Sequence, residues 1–136
     1  GNFVYVPQGN TLLSGTIRDN LRLGRLAATE EEMAEALKES CADFVSDLPD
    51  GLDTLCGEGG AGLSEGQAQR IAIARALLRH GSVMVFDEAT SALDPETEKQ
   101  LLYNLLSTHK RTIIFITHRP AVKDYCDQTL TIDRIH

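Results

Sequence analysis

Val83-Met84-Val85-Phe86-Asp87-Glu88 is an apolar run closed by two adjacent carboxylates, and the residues just beyond it set the fold class. Asp94-Pro95-Glu96 opens a helix, with Asp as N-cap and Pro at the first helical position. Leu101, Leu102, Leu105 and Leu106 give that helix a buried stripe. Thr112 to Thr117 is a second apolar strand. Strand, helix, strand over 83–117 makes one βαβ unit. Both strands are continuously apolar, as parallel strands covered on two faces are. The chain therefore reads as α/β with a parallel sheet.

Working outward, Phe3-Val4-Tyr5-Val6 is a strand stopped by Pro7. It starts almost at residue 1, as it would in a fragment. Residues 9–66 read as helices and loops. Thr29-Glu30-Glu31-Glu32 has capping-box spacing with acids in a first turn. Met33, Ala36, Leu37 and Cys41 follow at roughly helical spacing, and Pro49-Asp50-Gly51 is a turn. From Gln67 the pattern becomes firmly helical through Ile71, Ala74, Arg75 and Leu78, ending at His80-Gly81. A short helix around Ala121 to Tyr125 and a strand from Gln128 to Ile132 are expected last.

The 136 residues suit one modest domain, and 42% apolar content is enough for a core. A net charge of −7 argues against a nucleic-acid surface, because phosphate binding needs clustered Lys and Arg. The densest basic group is Arg18, Arg22 and Arg25. Cys41, Cys56 and Cys126 form no CxxC pair and read as reduced packing thiols. Nothing resembles a signal peptide, and Ile113 to Ile116 is far too short to span a bilayer.

Several groups could carry chemistry. Ligands of open α/β sheets bind at the carboxyl ends of strands, where Asp87 and Glu88 stand. One acid there can hold Mg²⁺ and the next can polarise an attacking water; alone, the pair could equally be a solvated strand end. Ser64-Glu65-Gly66-Gln67 is either a plain capping box or a helix N-terminus that binds a phosphate, and both readings use the same atoms. His118 follows a strand and could donate to a terminal phosphate. Gln8 follows another and could offer its amide oxygen to Mg²⁺ or to the water. Gln8, Asp87, Glu88 and His118 thus share one sheet edge. Nowhere does a Gly precede a Lys followed by Ser or Thr, so a phosphate-gripping P-loop is missing from these residues.

Together these motifs resemble the nucleotide-binding domain of an ABC ATPase. Leu63-Ser64-Glu65-Gly66-Gln67 is similar to the family's signature loop, and Gln69 to Leu77 to its continuation. Val83 to Glu88 resembles the Walker B strand with the catalytic Glu, Ser91-Ala92-Leu93-Asp94 the D-loop, His118 the switch histidine and Gln8 the Q-loop glutamine. Gly15-Thr16-Ile17-Arg18-Asp19-Asn20-Leu21 and Gly57-Glu58-Gly59-Gly60, an X-loop, resemble the exporter subtype. Glu65 departs from the usual Gly, placing a negative charge beside a phosphate site, and the Walker A loop would lie before residue 1.

The resemblance implies a partial RecA-like P-loop NTPase core over 1–8 and 67–136 and a helical signature subdomain over 9–66. It implies ATP and Mg²⁺ as cofactors. Glu88, His118 and Gln8 would be catalytic, and Asp87 with Gln8 would hold Mg²⁺. Ser64, Gly66, Gln67 and Asp94 would bind nucleotide, with Ser64 and Gly66 reaching the γ-phosphate held by a head-to-tail partner domain. A transmembrane domain would be the other partner, with this part at the cytoplasmic face of the membrane. In the family's sheet the Walker A strand lies between the His118 strand and the last strand. Without it a sheet edge is exposed, expected to be closed by strand 128–132 shifting inward, to be closed by another chain, or to be left poorly ordered. Such a chain on its own is expected to be inactive. Alternatives are a soluble ABC ATPase of DNA repair or translation, or a non-catalytic interaction domain.

Overall fold

In the computed structural model the described residues are 3–7, 12–56, 62–79, 83–108, 112–116 and 130–133. They fall into two compact units, one holding residues 1–10 with 80–136 and the other residues 11–79.

The first unit is built on a parallel sheet. Its strands are β1 (Phe3–Val6), β4 (Val83–Asp87), β5 (Thr112–Ile116) and β6 (Leu130–Asp133), in the order β1-β4-β5-β6. Phe3 lies opposite Val83 and Val6 opposite Phe86; Asp87 lies opposite Ile116. β6 pairs directly with β5, from Ile113 opposite Leu130 to Ile116 opposite Asp133. Of the three arrangements expected for the last strand, the inward shift is the one found. The expected helix at 121–125 lies outside the described residues. On one sheet face Val4, Val6, Met84, Phe86, Ile113 and Phe115 are buried, with the Phe86 and Phe115 rings 5.2 Å apart. Tyr5, Val85 and Ile114 alternate with them and keep more exposure. Leu101, Leu102 and Leu105 of α4 (Pro95–Thr108) are buried as their spacing predicts, while Leu106, expected with them, is half-buried.

The second unit holds α1 (Ile17–Gly24), α2 (Glu30–Glu39), α3 (Glu65–Leu77), a small hairpin of β2 (Gly15–Thr16) with β3 (Leu55–Cys56), and short 3-10 turns at Asp43–Asp47 and Gly51–Asp53. α3 packs against α1 and α2 and lies in the same compact unit. All three helices start with a capping box: Thr16 with Asp19, Thr29 with Glu32, and Ser64 with Gln67. Each box satisfies two orphan amides of a helix start. α1 and α3 touch at Gly24, where a Cβ would stand 2.1 Å from the Arg75 carbonyl oxygen.

Two polar side chains, the buried Asn20 and the half-buried Arg70, fix the loops of this unit. The Asn20 amide donates to the carbonyls of Leu13 and Thr16, while its oxygen accepts from the Leu13 N–H at 2.7 Å. Arg70 donates to the Gly66 and Cys41 carbonyls and stacks over Phe44. Two members of the basic group are consumed locally, Arg18 by Glu30 and Asp53 and Arg25 by Glu32. They therefore offer no free cationic patch, and as surface pairs they contribute little stability.

Candidate functional site

Asp87 ends β4, which is flanked by β1 and β5, so the acid pair stands at the carboxyl edge of the sheet. Glu88 adopts a left-handed backbone, φ 55°. Its N–H donates to the Ile116 carbonyl of β5 at 2.9 Å, and its own carbonyl accepts from Ser91 N–H. A non-glycine residue held at positive φ is uncommon, and such residues cluster at functional sites. The bond to β5 holds the turn at the end of β4. Asp87 and Glu88 are both half-buried, open enough to meet a ligand and still tied to the sheet.

The Tyr5 hydroxyl of β1 donates to Oδ2 of Asp87 at 2.5 Å. That hydrogen bond holds the Tyr5 phenol above its usual pKa and keeps it a donor. The loop from Glu88 to Asp94 is closed by Leu93 N–H donating to the Thr90 carbonyl. It is anchored by the Thr90 hydroxyl, which donates to the fully buried Glu98 carboxylate at 2.8 Å. Asp94 is exposed and caps α4: its carboxylate accepts the Thr97 N–H and hydroxyl, and these bonds pull its pKa down.

In the helical unit, Ser64 Oγ accepts the Gln67 N–H at 3.0 Å while the Gln67 side chain accepts the Ser64 N–H at 2.9 Å. The cap reading of this motif is therefore realised. A hydroxyl that accepts one bond keeps its proton to donate, and the first amides of a helix have no intrahelical partner. Ser64 is exposed and Gly66 half-buried, so the cap and an anion site are compatible in the same atoms.

Of the residues singled out from sequence, Asp87, Glu88 and Asp94 lie in the sheet unit, and Ser64, Gly66 and Gln67 in the helical unit. Gln8 and His118 lie outside the described residues, as do Gly57 to Gly60. The strands leading to Gln8 and His118 do end at the edge that bears Asp87. Tyr5, Thr90, Glu98, Asn20 and Arg70 were not foreseen. For a divalent cation, Asp87 is a suitable hard oxygen ligand. Among the described residues no cluster of three or more His, Cys, Asp or Glu could hold a metal alone. Mg²⁺ needs no such cluster, because it takes one or two carboxylates plus phosphate oxygens and waters.

A parallel α/β sheet with an acid pair at the end of an interior strand, together with a helical unit whose α3 starts on a capped Ser-x-Gly-Gln turn, is the arrangement of a P-loop NTPase. The chain belongs to the ABC transporter family, whose model matches residues 1–91. It is 47% identical over 95% of its length to an uncharacterized ABC transporter ATP-binding protein, y4gM, of Sinorhizobium fredii. It is 42% identical over 96% of its length to the lactococcin-G-processing and transport ATP-binding protein LagD of Lactococcus lactis. The structure of a bacterial Atm1-family ABC exporter with ATP bound matches 98% of the chain with a TM-score of 0.83 at 37% identity. The chain spans only 22% of y4gM, 19% of LagD and 24% of that exporter chain. Among the described residues no helix is long and apolar enough to cross a membrane.

Proposed function

We propose that these residues form the switch-bearing part of the ATP-hydrolysing domain of an exporter-type ABC transporter. The observation that carries this reading is Asp87-Glu88 at the carboxyl edge of the sheet, with Glu88 turned left-handed and hydrogen-bonded to β5. The exporter relatives support the subtype. Asp87, with Gln8, holds Mg²⁺, which when bound neutralises charge on the phosphates. Glu88 polarises the attacking water, and Gln8 and His118 orient water and γ-phosphate. Ser64 and Gly66 face the γ-phosphate of a nucleotide held by a second copy of the domain, Gln67 belongs to the same nucleotide-binding loop, and Asp94 lies in the D-loop. A transmembrane domain is the coupled partner, at the cytoplasmic face of the membrane.

Within the 136 residues there is no Gly-Lys-Ser/Thr, so this polypeptide alone lacks the main phosphate cradle and does not turn over ATP. The test is to express the native open reading frame, in detergent or nanodiscs, beside the 136-residue polypeptide. Glu88→Gln in the former is expected to lower ATP turnover roughly 100-fold or more while ATP binding persists. The polypeptide alone is expected to give no calorimetric ATP binding. A Glu88→Gln protein with full turnover sinks the catalytic assignment, and tight ATP binding by the polypeptide sinks its inactivity.

A further inference from the structure

Tyr5 stands out in the sheet unit. It lies opposite Val85 in the β1–β4 register, so Asp87 is two residues further along β4 on the same face. A tyrosine reaches that diagonal neighbour. The residue is 48% exposed, so burial does not explain why a tyrosine stands in this strand. The Phe3-Val4-Tyr5-Val6 run is otherwise apolar, and a valine or phenylalanine would serve the sheet as well. What the hydroxyl adds is one hydrogen bond, to Oδ2 of Asp87.

We propose that Tyr5 is a positioning residue that orients the Asp87 carboxylate toward a divalent cation; this rests on the metal role given to Asp87 above. A carboxylate on a short side chain can rotate about its last bond. Occupying Oδ2 from β1 restrains that rotation and leaves Oδ1 as the oxygen to offer a cation. Mg²⁺ demands near-ideal octahedral geometry and dehydrates reluctantly, so it is sensitive to the angle at which a carboxylate is offered. Hydrogen-bond partners of metal-ligating groups carry much of a site's affinity in just this way.

The test uses the full-length protein with Glu88→Gln added, so that nucleotide is bound and not consumed. Mn²⁺ is titrated against the ATP-loaded protein, and bound Mn²⁺ is read by electron paramagnetic resonance. Tyr5→Phe keeps the ring and removes only the hydroxyl. It is expected to weaken Mn²⁺ binding roughly tenfold and to change the bound-ion spectrum. ATP binding measured in excess chelator should be unchanged, which a merely structural loss would not leave intact. Asp87→Asn serves as the reference. If Asp87→Asn weakens Mn²⁺ binding and Tyr5→Phe does not, the positioning role of Tyr5 is wrong. If neither variant matters, the metal assignment of Asp87 has failed and the proposal falls with it.

Discussion

Glu98 is 0% exposed, and its side chain accepts a hydrogen bond from the Thr90 hydroxyl. Burying a polar group is costly unless it is hydrogen-bonded, so this contact carries weight. Thr90→Val keeps the shape and removes the donor. It is expected to cost about 1–3 kcal/mol in urea unfolding of the domain, while Thr90→Ser costs less because the hydroxyl stays. Equal losses for the two variants would show that the hydroxyl is not the anchor. Because Thr90 sits in the loop between Glu88 and Asp94, ATP turnover should fall alongside stability. The residue was visible in the sequence in one respect: Glu98, Leu101, Leu102 and Leu105 share the helical spacing of a single face. An acid on an apolar stripe signals a buried partner. Tyr5 offered no comparable signal, since its contact with Asp87 depends on how two strands remote in sequence pair.

Helices show the same division between local and non-local information. Thr29 with Glu32 spells its capping box in full, and α2 starts where the spacing says it should. α1 uses Thr16 with Asp19, an acid one methylene shorter than the usual Glu, so its start is harder to read from the sequence. α3 is buried almost all round, at Ile71, Ala72, Ile73, Ala74, Ala76 and Leu77. Its helical spacing is legible in the sequence, but a helix covered on most sides shows no single apolar face that points to its partners α1 and α2. β2 and β3 are two residues each, too short for alternation to register. The α1–α3 crossing leaves little room between the two helices. Gly24→Ala would place a methyl 2.1 Å from the Arg75 carbonyl oxygen, a backbone atom that cannot swing aside. The helices must separate, and a loss of roughly 1–3 kcal/mol or more is expected by thermal unfolding. Wild-type stability in that variant would mean that the two helices are not held at this spacing.

The two candidate groups belong to different compact units of the chain, Ser64 to residues 11–79 and Glu88 to the sheet unit. In a head-to-tail dimer, the proposed assembly, the Glu88 of one copy and the Ser64 of the other act on the same ATP. Counting defects per nucleotide then separates this from a single-chain site. Ser64→Asp suits the purpose, because Asp is as good an N-cap as Ser and preserves α3, while its charge opposes a phosphate. Dimers are assembled from two differently tagged copies. In one, Ser64→Asp is on one copy and Glu88→Gln on the other, so both defects fall on one nucleotide and the second site is intact. In the other, both substitutions are on the same copy beside a wild-type copy, so each nucleotide meets one defect. The first dimer is expected to keep ATP turnover and the second to lose it, although both carry the same two substitutions. The reverse order would mean that Ser64 and Glu88 of one chain serve the same nucleotide. Equal turnover would mean that the sites are not shared between copies in this way.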